Sequence, residues 1–422
     1  MRPPGSKSIS NRAIVLAALG EGRSRLIRPL RAEDTEHLVA ALQALGTEMA
    51  WQGDDLVVEG IGASRGGRFP RGGTINLGDG GTPTRFMLAL ACLAGEPVTI
   101  DGSARMRERP IADGVELLRS LGATIEYLER PEALPIRVSP AALRGGRIEV
   151  GATSSSQFIS ALMLIAPVLP EGLEIHYRAA PTSASYLALT RAVLKEFGVE
   201  VADRTWVGPR CDRIERTTLA GRDYEVEADA SSAVYWMVAG AIVPESAVAI
   251  DGLVVGSPQP DIEMLEVLED AGVPWSSSGG AITVSGPQRL AAIDRDFSRM
   301  PDGAMAAAML AACAAGRSTL RGLATLRVKE SDRIAALATE LRRVGCAVDF
   351  DDDTLTIDGP FPDAADWVAC ATYGDHRMAM SLATLGLRRG GIAIANPGCV
   401  SKSYPGFWSD LGGLVPAALR AV

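Results

Sequence analysis

Long apolar runs are missing from this chain of 422 residues. Its most apolar stretch, Ala304 to Ala315, is alanine-rich and too short to span a bilayer. Met1-Arg2-Pro3-Pro4-Gly5 offers no apolar signal segment, so a soluble, cytoplasmic location without membrane partners is expected. Histidine is scarce, with three residues (His37, His176, His376), and the six cysteines are scattered without a CxxC pair. Neither a zinc site nor a disulfide scaffold is expected from such spacing. Basic runs are absent as well. The balance of 51 acidic against 42 basic residues leaves −9, which argues against a nucleic-acid partner. An anionic ligand must then be drawn to a local cluster of cations and not to the molecule as a whole.

What is present is a globular composition, 47% hydrophobic and 22% charged, in a chain long enough for two or three cores. One phrase recurs in it: a helical run ending in Leu, two or three residues, then Gly, followed by a short β-like segment. The glycines are Gly46, Gly122, Gly198, Gly272 and Gly345, with a weaker sixth copy at Gly412. Glycine at that point lets a helix end in a left-handed turn. The period is too long for a stacked solenoid, so each copy reads as a compact βα unit. Six copies predict two domains of three units, with the boundary between Tyr224 and Asp229.

Charge gathers at helix entrances. Leu326-Arg327-Val328-Lys329-Glu330-Ser331-Asp332-Arg333 packs three cations and two carboxylates into eight residues, ahead of an apolar-periodic run. A helix starting near Glu330 would put Lys329 at its mouth and Arg333 one turn in, a site for an anion. A carboxylate held among cations can have its proton affinity set by them. A capped surface helix with self-cancelling charges is the plainer alternative. Comparable entrances are Pro4-Gly5-Ser6-Lys7-Ser8-Ile9-Ser10-Asn11-Arg12, Gly78-Asp79-Gly80-Gly81-Thr82-Pro83-Thr84-Arg85 and Ser154-Ser155-Ser156-Gln157. Arg105-Met106-Arg107-Glu108-Arg109-Pro110 puts three arginines, suited to carboxylate or phosphate, in five positions. Met300-Pro301-Asp302 precedes an alanine-rich helix from Met305 to Ala315, where Asp302 is either a desolvated base or an ordinary cap. Asp375-His376-Arg377 and Ser401-Lys402-Ser403 complete the set. If the halves face each other, Lys7, Arg12, Arg109, Lys329, Arg333, Arg377 and Lys402 line one cleft. That pattern fits a transferase or isomerase of small phosphate esters that closes by domain motion.

Taken in order, these motifs resemble the EPSP synthase (3-phosphoshikimate 1-carboxyvinyltransferase) family from Pro4 to about Pro405. The resemblance implies a two-domain inside-out α/β barrel, each domain of three repeated βαβαββ units. The expected domains are 6–226 and 227–422, with residues 1–5 as hinge or strand remnant. It implies transfer of the enolpyruvyl group of phosphoenolpyruvate to the 5-hydroxyl of shikimate 3-phosphate, a step of chorismate and aromatic amino-acid biosynthesis, by addition and elimination. Carried over, Lys7, Ser8, Arg12, Ser155, Ser156, Gln157, Ser183, Asp302 and Lys329 would hold shikimate 3-phosphate, with Tyr186 as a looser match. Lys7, Gly81, Arg109, Gln157, Arg333, Arg377 and Lys402 would hold phosphoenolpyruvate. Lys7, Asp302, Glu330, His376 and Lys402 would be catalytic, Asp302 as base for the hydroxyl and Glu330 as acid for the methylene carbon. No metal or organic cofactor, a monomer, and inhibition by glyphosate are also implied.

Two departures stand out. Asp79 replaces the family's usual Asn and would repel an anion unless turned away or paired with Arg85; Thr325 replaces a substrate-binding Asn of some members. Most members also carry a strand ahead of the Pro-Gly-Ser-Lys motif. Its lack here reads either as a start set downstream or as a sheet edge left open. The rival transferase acting on UDP-N-acetylglucosamine carries Lys-Asn and a reactive loop cysteine; this chain has Lys7-Ser8 and no cysteine between Arg105 and Pro110. A relative that binds metabolites without catalysis is the alternative from another class.

Overall fold

The computed structural model describes residues 1–62, 67–203, 210–362 and 366–414. The chain divides into two compact units, Gly5–Val226 and Met1–Pro4 with Glu227–Val422. Both are mixed α/β.

In Gly5–Val226 three four-stranded sheets share one pattern: an edge strand parallel to its neighbour, then two antiparallel strands. Arg23–Ile27 pairs with Asp223–Glu225 in parallel and with Asp55–Glu59, then Glu48–Gln52, antiparallel. Gly73–Asn76 and Val98–Asp101 begin the second sheet, completed by Ile136–Ser139 and Thr124–Tyr127. Gly146–Val150 and Leu173–Tyr177 begin the third, completed by Cys211–Ile214 and Val201–Asp203. Leu173–Tyr177 shows why such strands form. Leu173, Ile175 and Tyr177 are buried while Glu174 and His176 are half-buried on the other face, the period of two that fixes register. The helices obey a different rule. Gly81–Ala91 is buried at every residue, and Lys7–Leu19 from Ile9 onward; a helix apolar all round belongs inside.

The second unit holds the antiparallel sheet Ala247–Asp251, Ala281–Ser285 and Trp275–Ser278. A four-stranded sheet of the pattern above runs from Asp294–Asp296 through Gly316–Arg321 and Leu355–Gly359 to Ala347–Phe350. Val368–Cys370 and Ile392–Ile394 pair in parallel. Along the strand Ala247–Asp251, the Met1 amine donates to Ala249 O and the Asp251 N–H donates to Met1 O, each at 2.8 Å. The helices Ala230–Ile242, Ala304–Cys313 and His376–Arg389 are buried through most of their length.

The recurring glycine phrase has one structural meaning in five of its copies. Gly46, Gly122, Gly198, Gly272 and Gly345 have φ of +102°, +96°, +81°, +74° and +103°. In each copy the next N–H reaches back to the leucine carbonyl that opens the phrase, Leu42, Leu118, Leu194, Leu268 or Leu341, at 2.8–3.0 Å. This is the Schellman closure. The sixth copy is a correction: Gly412 lies within the helix Phe407–Leu414 and ends nothing. The helix expected near Glu330 also differs. It runs Arg333–Arg343, with Asp332 as the cap that accepts from the Ala335 N–H, because Ala324–Val328 takes a 3-10 turn first.

Candidate active site

In Gly5–Val226 the functional motifs stand at the starts of buried helices. Ser6 caps Lys7–Leu19 through the Ile9 N–H, which leaves Lys7 to pair with Asp34 at 3.2 Å. Arg12, one turn further, points into the helix bundle. Its guanidinium donates to Thr190 Oγ1 (2.8 Å), Ser8 O (2.8 Å), Ser160 Oγ (3.3 Å) and Tyr186 O (3.2 Å). These partners are neutral, and burial lowers the Arg12 pKa to about 10; it stays charged at neutral pH. A buried cation held by hydroxyls and carbonyls is incompletely compensated, a state that a nearby anion improves.

Gly81 opens the next helix. A Cβ there would come within 2.6 Å of Arg109 Nη1, so the absent side chain lets the guanidinium lie against the helix start. Arg109 is buried, its Nε has no hydrogen-bond partner, and among the described residues no carboxylate pairs with it. Its neighbours in the arginine cluster are different: Arg107 pairs with Asp101 and Glu129, and Arg105 with Glu108. Of the three arginines, Arg109 is the one without a carboxylate partner among the described residues. Gln157, in the first turn of Ser156–Ile165, receives Arg85 Nη1 on Oε1 and donates to Thr82 Oγ1, both at 2.8 Å. Ser155 caps that helix through the Gln157 N–H. Thr182 Oγ1 donates to Thr153 O at 2.7 Å, which brings Ser183, in left-handed conformation (φ +49°), up to the serine cluster.

The second unit concentrates its charge around Arg333. This guanidinium, 1% exposed, donates to Asp302 Oδ1 (2.8 Å), Glu330 Oε2 (2.9 Å) and Asp375 Oδ2 (2.7 Å). Burial alone lowers its proton affinity, but Asp375, Glu330 and Asp302 overcome that and raise it. Each of the two outer carboxylates has further cations. Asp302 Oδ2 meets Arg377 Nη2 at 3.0 Å, and Oδ1 meets Lys329 Nζ at 3.6 Å; Glu330 Oε1 meets Lys402 Nζ at 2.9 Å. Asp375 also caps His376–Arg389 by accepting the Arg377 N–H. His376 is buried beside it, Nδ1 3.7 Å from Asp375 Oδ1. Behind Arg377 lies Asp261, fully buried, which takes the Ser231 hydroxyl. Burial raises its pKa to about 6, with Arg377 opposing and Asp302 assisting.

Three carboxylates among four cations thus form one partly buried network. The EPSP synthase family model matches residues 1–411. The curated 3-phosphoshikimate 1-carboxyvinyltransferase of Methanoculleus marisnigri is 40% identical over 97% of this chain and 95% of its own. The chain belongs to the EPSP synthase family. The enzyme of the same name from Klebsiella pneumoniae is 37% identical, covering 97% of this chain and 94% of the relative. The solved EPSP synthase of Acinetobacter baumannii superposes with a TM-score of 0.80 at 25% identity, covering 98% and 94% of the two chains. The enolpyruvyl transferase NikO of Streptomyces tendae (TM-score 0.77, 18% identity) shares the fold.

Within this EPSP synthase family member, the carried-over residues fall into two groups by unit. Lys7, Ser8, Arg12, Gly81, Arg109, Ser155, Ser156, Gln157 and Ser183 belong to one; Asp302, Lys329, Glu330, Arg333, His376, Arg377 and Lys402 to the other. Sequence reasoning missed the partners that hold them. Asp34 and Thr190 carry no local signal, being ordinary helix residues. Asp375 had one, an Asp directly before a helical His, and its job is to brace Arg333. Asp79 is exposed and accepts from Ser103 Oγ, whereas Arg85 spends its guanidinium on Gln157, Gly81 O and Pro110 O. Among the described residues no helix is long and apolar enough to cross a membrane.

Proposed function

We propose that this chain transfers the enolpyruvyl group of phosphoenolpyruvate to the 5-hydroxyl of shikimate 3-phosphate. The observation that carries the assignment is the shared guanidinium of Arg333. It holds Asp302 and Glu330 apart, each clamped by different cations. Two carboxylates in unlike fields suit a base and an acid in one reaction. Asp302 takes the proton of the 5-hydroxyl as its oxygen attacks C2 of phosphoenolpyruvate. Glu330 delivers a proton to C3, which becomes a methyl group, and Lys402 adjusts its proton affinity. The tetrahedral adduct keeps its phosphate until elimination; a methyl proton then leaves as the C2–O bond to phosphate breaks. His376, next to Asp375, assists that proton traffic. Water must be excluded while the adduct exists.

Lys7, Ser8, Arg12, Ser155, Ser156, Gln157, Ser183, Asp302 and Lys329 hold shikimate 3-phosphate in this reading. Lys7, Gly81, Arg109, Gln157, Arg333, Arg377 and Lys402 hold phosphoenolpyruvate. Arg109, with its unfilled donor, takes the incoming anion first; the cations of the second unit must be released from their carboxylates. Glyphosate, an anion of similar size, competes there. We further propose that each unit closes as an inside-out barrel of three βαβαββ units, on the strength of the repeated sheet order, and that the protein acts as a monomer.

The deciding experiment measures phosphate release from phosphoenolpyruvate plus shikimate 3-phosphate, with UDP-N-acetylglucosamine as parallel acceptor. Release that requires shikimate 3-phosphate and falls about 10²- to 10⁴-fold in Glu330→Gln, the usual range for a general acid, supports both the reaction and the acid. Release with the nucleotide sugar alone overturns the acceptor. Unchanged release in the variant overturns the role of Glu330.

A further inference from the structure

On the face of the third sheet of Gly5–Val226 opposite the buried Leu173, Ile175 and Tyr177, three side chains converge. Glu174 and His176 sit two apart on the strand Leu173–Tyr177, and Cys211 is the cross-strand partner of His176. Their donor atoms all lie within 4.8 Å of one another. Glu174 Oε1 is 2.5 Å and Cys211 Sγ 3.7 Å from the same ring nitrogen, His176 Nε2. The shared nitrogen matters. In a thiol–imidazole–carboxylate relay, thiol and carboxylate take opposite nitrogens of the ring, so that a proton can pass through it. Here one nitrogen has a single position for a proton or a lone pair, and Glu174 and Cys211, themselves in hydrogen-bond contact, both turn to it. A central ion satisfies all three donors at once.

We propose that Glu174, His176 and Cys211 form a binding site for a borderline divalent transition metal, Zn2+ above all, with water as fourth ligand. The donor set is one thiolate, one imidazole and one carboxylate, each a normal zinc ligand. Zinc–sulfur and zinc–nitrogen bonds of about 2.3 and 2.05 Å at a tetrahedral angle place S and N about 3.6 Å apart, against 3.7 Å here. The carboxylate oxygen must withdraw by a little under about 1 Å to reach its own tetrahedral place. Glu174 has the freedom for that, its side chain being 31% exposed, while Arg213 Nη1 holds its other oxygen at 3.5 Å. On binding, the thiol gives its proton to solvent and the imidazole proton moves to Nδ1. Thiolate and carboxylate then neutralise the ion. The ligands come from two strands 35 residues apart, which is why no metal spacing is visible in the sequence.

The test uses the full chain, stripped with chelator and kept reduced, titrated calorimetrically with Zn2+ alone. One ion per chain is expected, with affinity at least about tenfold weaker in Cys211→Ser and in His176→Gln, since each removes one of three protein ligands. Enolpyruvyl transfer is expected unchanged in Cys211→Ser, because none of these groups is in the catalytic network. Co2+ gives a second readout on the unaltered protein: a sulfur-to-cobalt charge-transfer band. No stoichiometric Zn2+ uptake by the wild type, equal uptake by folded variants, or a cobalt band that persists in Cys211→Ser would each overturn the site.

Discussion

Arg333 shows how much one side chain can carry. Its buried guanidinium is shared by three carboxylates, Asp302, Glu330 and Asp375. Arg333→Ala leaves the buried Asp375 without its cation, while Asp302 keeps Arg377 and Lys329 and Glu330 keeps Lys402; the loss is about 3–5 kcal/mol by analogy with other broken buried pairs. Urea unfolding should show it as a lower midpoint at unchanged slope; Glu330→Gln, which keeps the packing, should move the midpoint far less. Asp261 gives a prediction in pH. Its folded pKa, about 6, lies above the ordinary carboxylate value, so the folded state binds the proton more tightly. Its stability contribution is full below about pH 4 and is lost as pH rises through 6, at most about 3 kcal/mol at 1.36 kcal/mol per unit. Asp261→Asn, a mimic of the protonated form, should therefore gain on the wild type in melting temperature between pH 4 and 7 and match it below pH 4. A constant difference across that range would remove Asp261 as the titrating group. At this scale the sequence marks cations by their helix-entrance motifs. It does not mark Asp34 and Asp261, and it marks Asp375 only as part of a helix entrance; their roles arise from neighbours far along the chain.

The helix is the next scale up, and its ends are the most legible feature here. A positive φ after a helix is a local demand, and glycine meets it without steric strain. Two of the five closures separate the contributions. At Gly272 a Cβ would meet nothing within 4 Å, so Gly272→Ala should cost only the left-handed conformation, about 1–2 kcal/mol. At Gly46 it would come 2.6 Å from Pro70 Cγ, so Gly46→Ala should cost clearly more. Thermal denaturation of the pair checks the order; equal losses would mean that Pro70 yields freely. Gly412 shows that Leu-Gly alone does not end a helix: the helix Phe407–Leu414 runs through it. The helix at Arg333 began later than its charge pattern indicated because Asp332 caps it, its carboxylate accepting the Ala335 N–H.

For the whole molecule, two separate cores are the dominant fact. At a hundredfold excess over Kd, shikimate 3-phosphate should stabilise the protein by about 2.7 kcal/mol. Hydrogen exchange should then slow at residues 155–157 and at Lys329, the positions proposed to hold it. Unchanged exchange at either would remove that residue from the proposed binding set.

The sequence by itself determined the repeat, five helix ends, the buried helices and the positions of the candidate cations. These follow from rules that act over a few residues: the sign of φ, capping, and the period of apolar side chains. Only the tertiary structure decided which cations are already paired, that Arg109 alone of its cluster turns inward, and that Glu174 and His176 meet Cys211. Such choices rest on side chains brought together from distant strands and helices. Inside a protein, a charge is governed by what surrounds it in space.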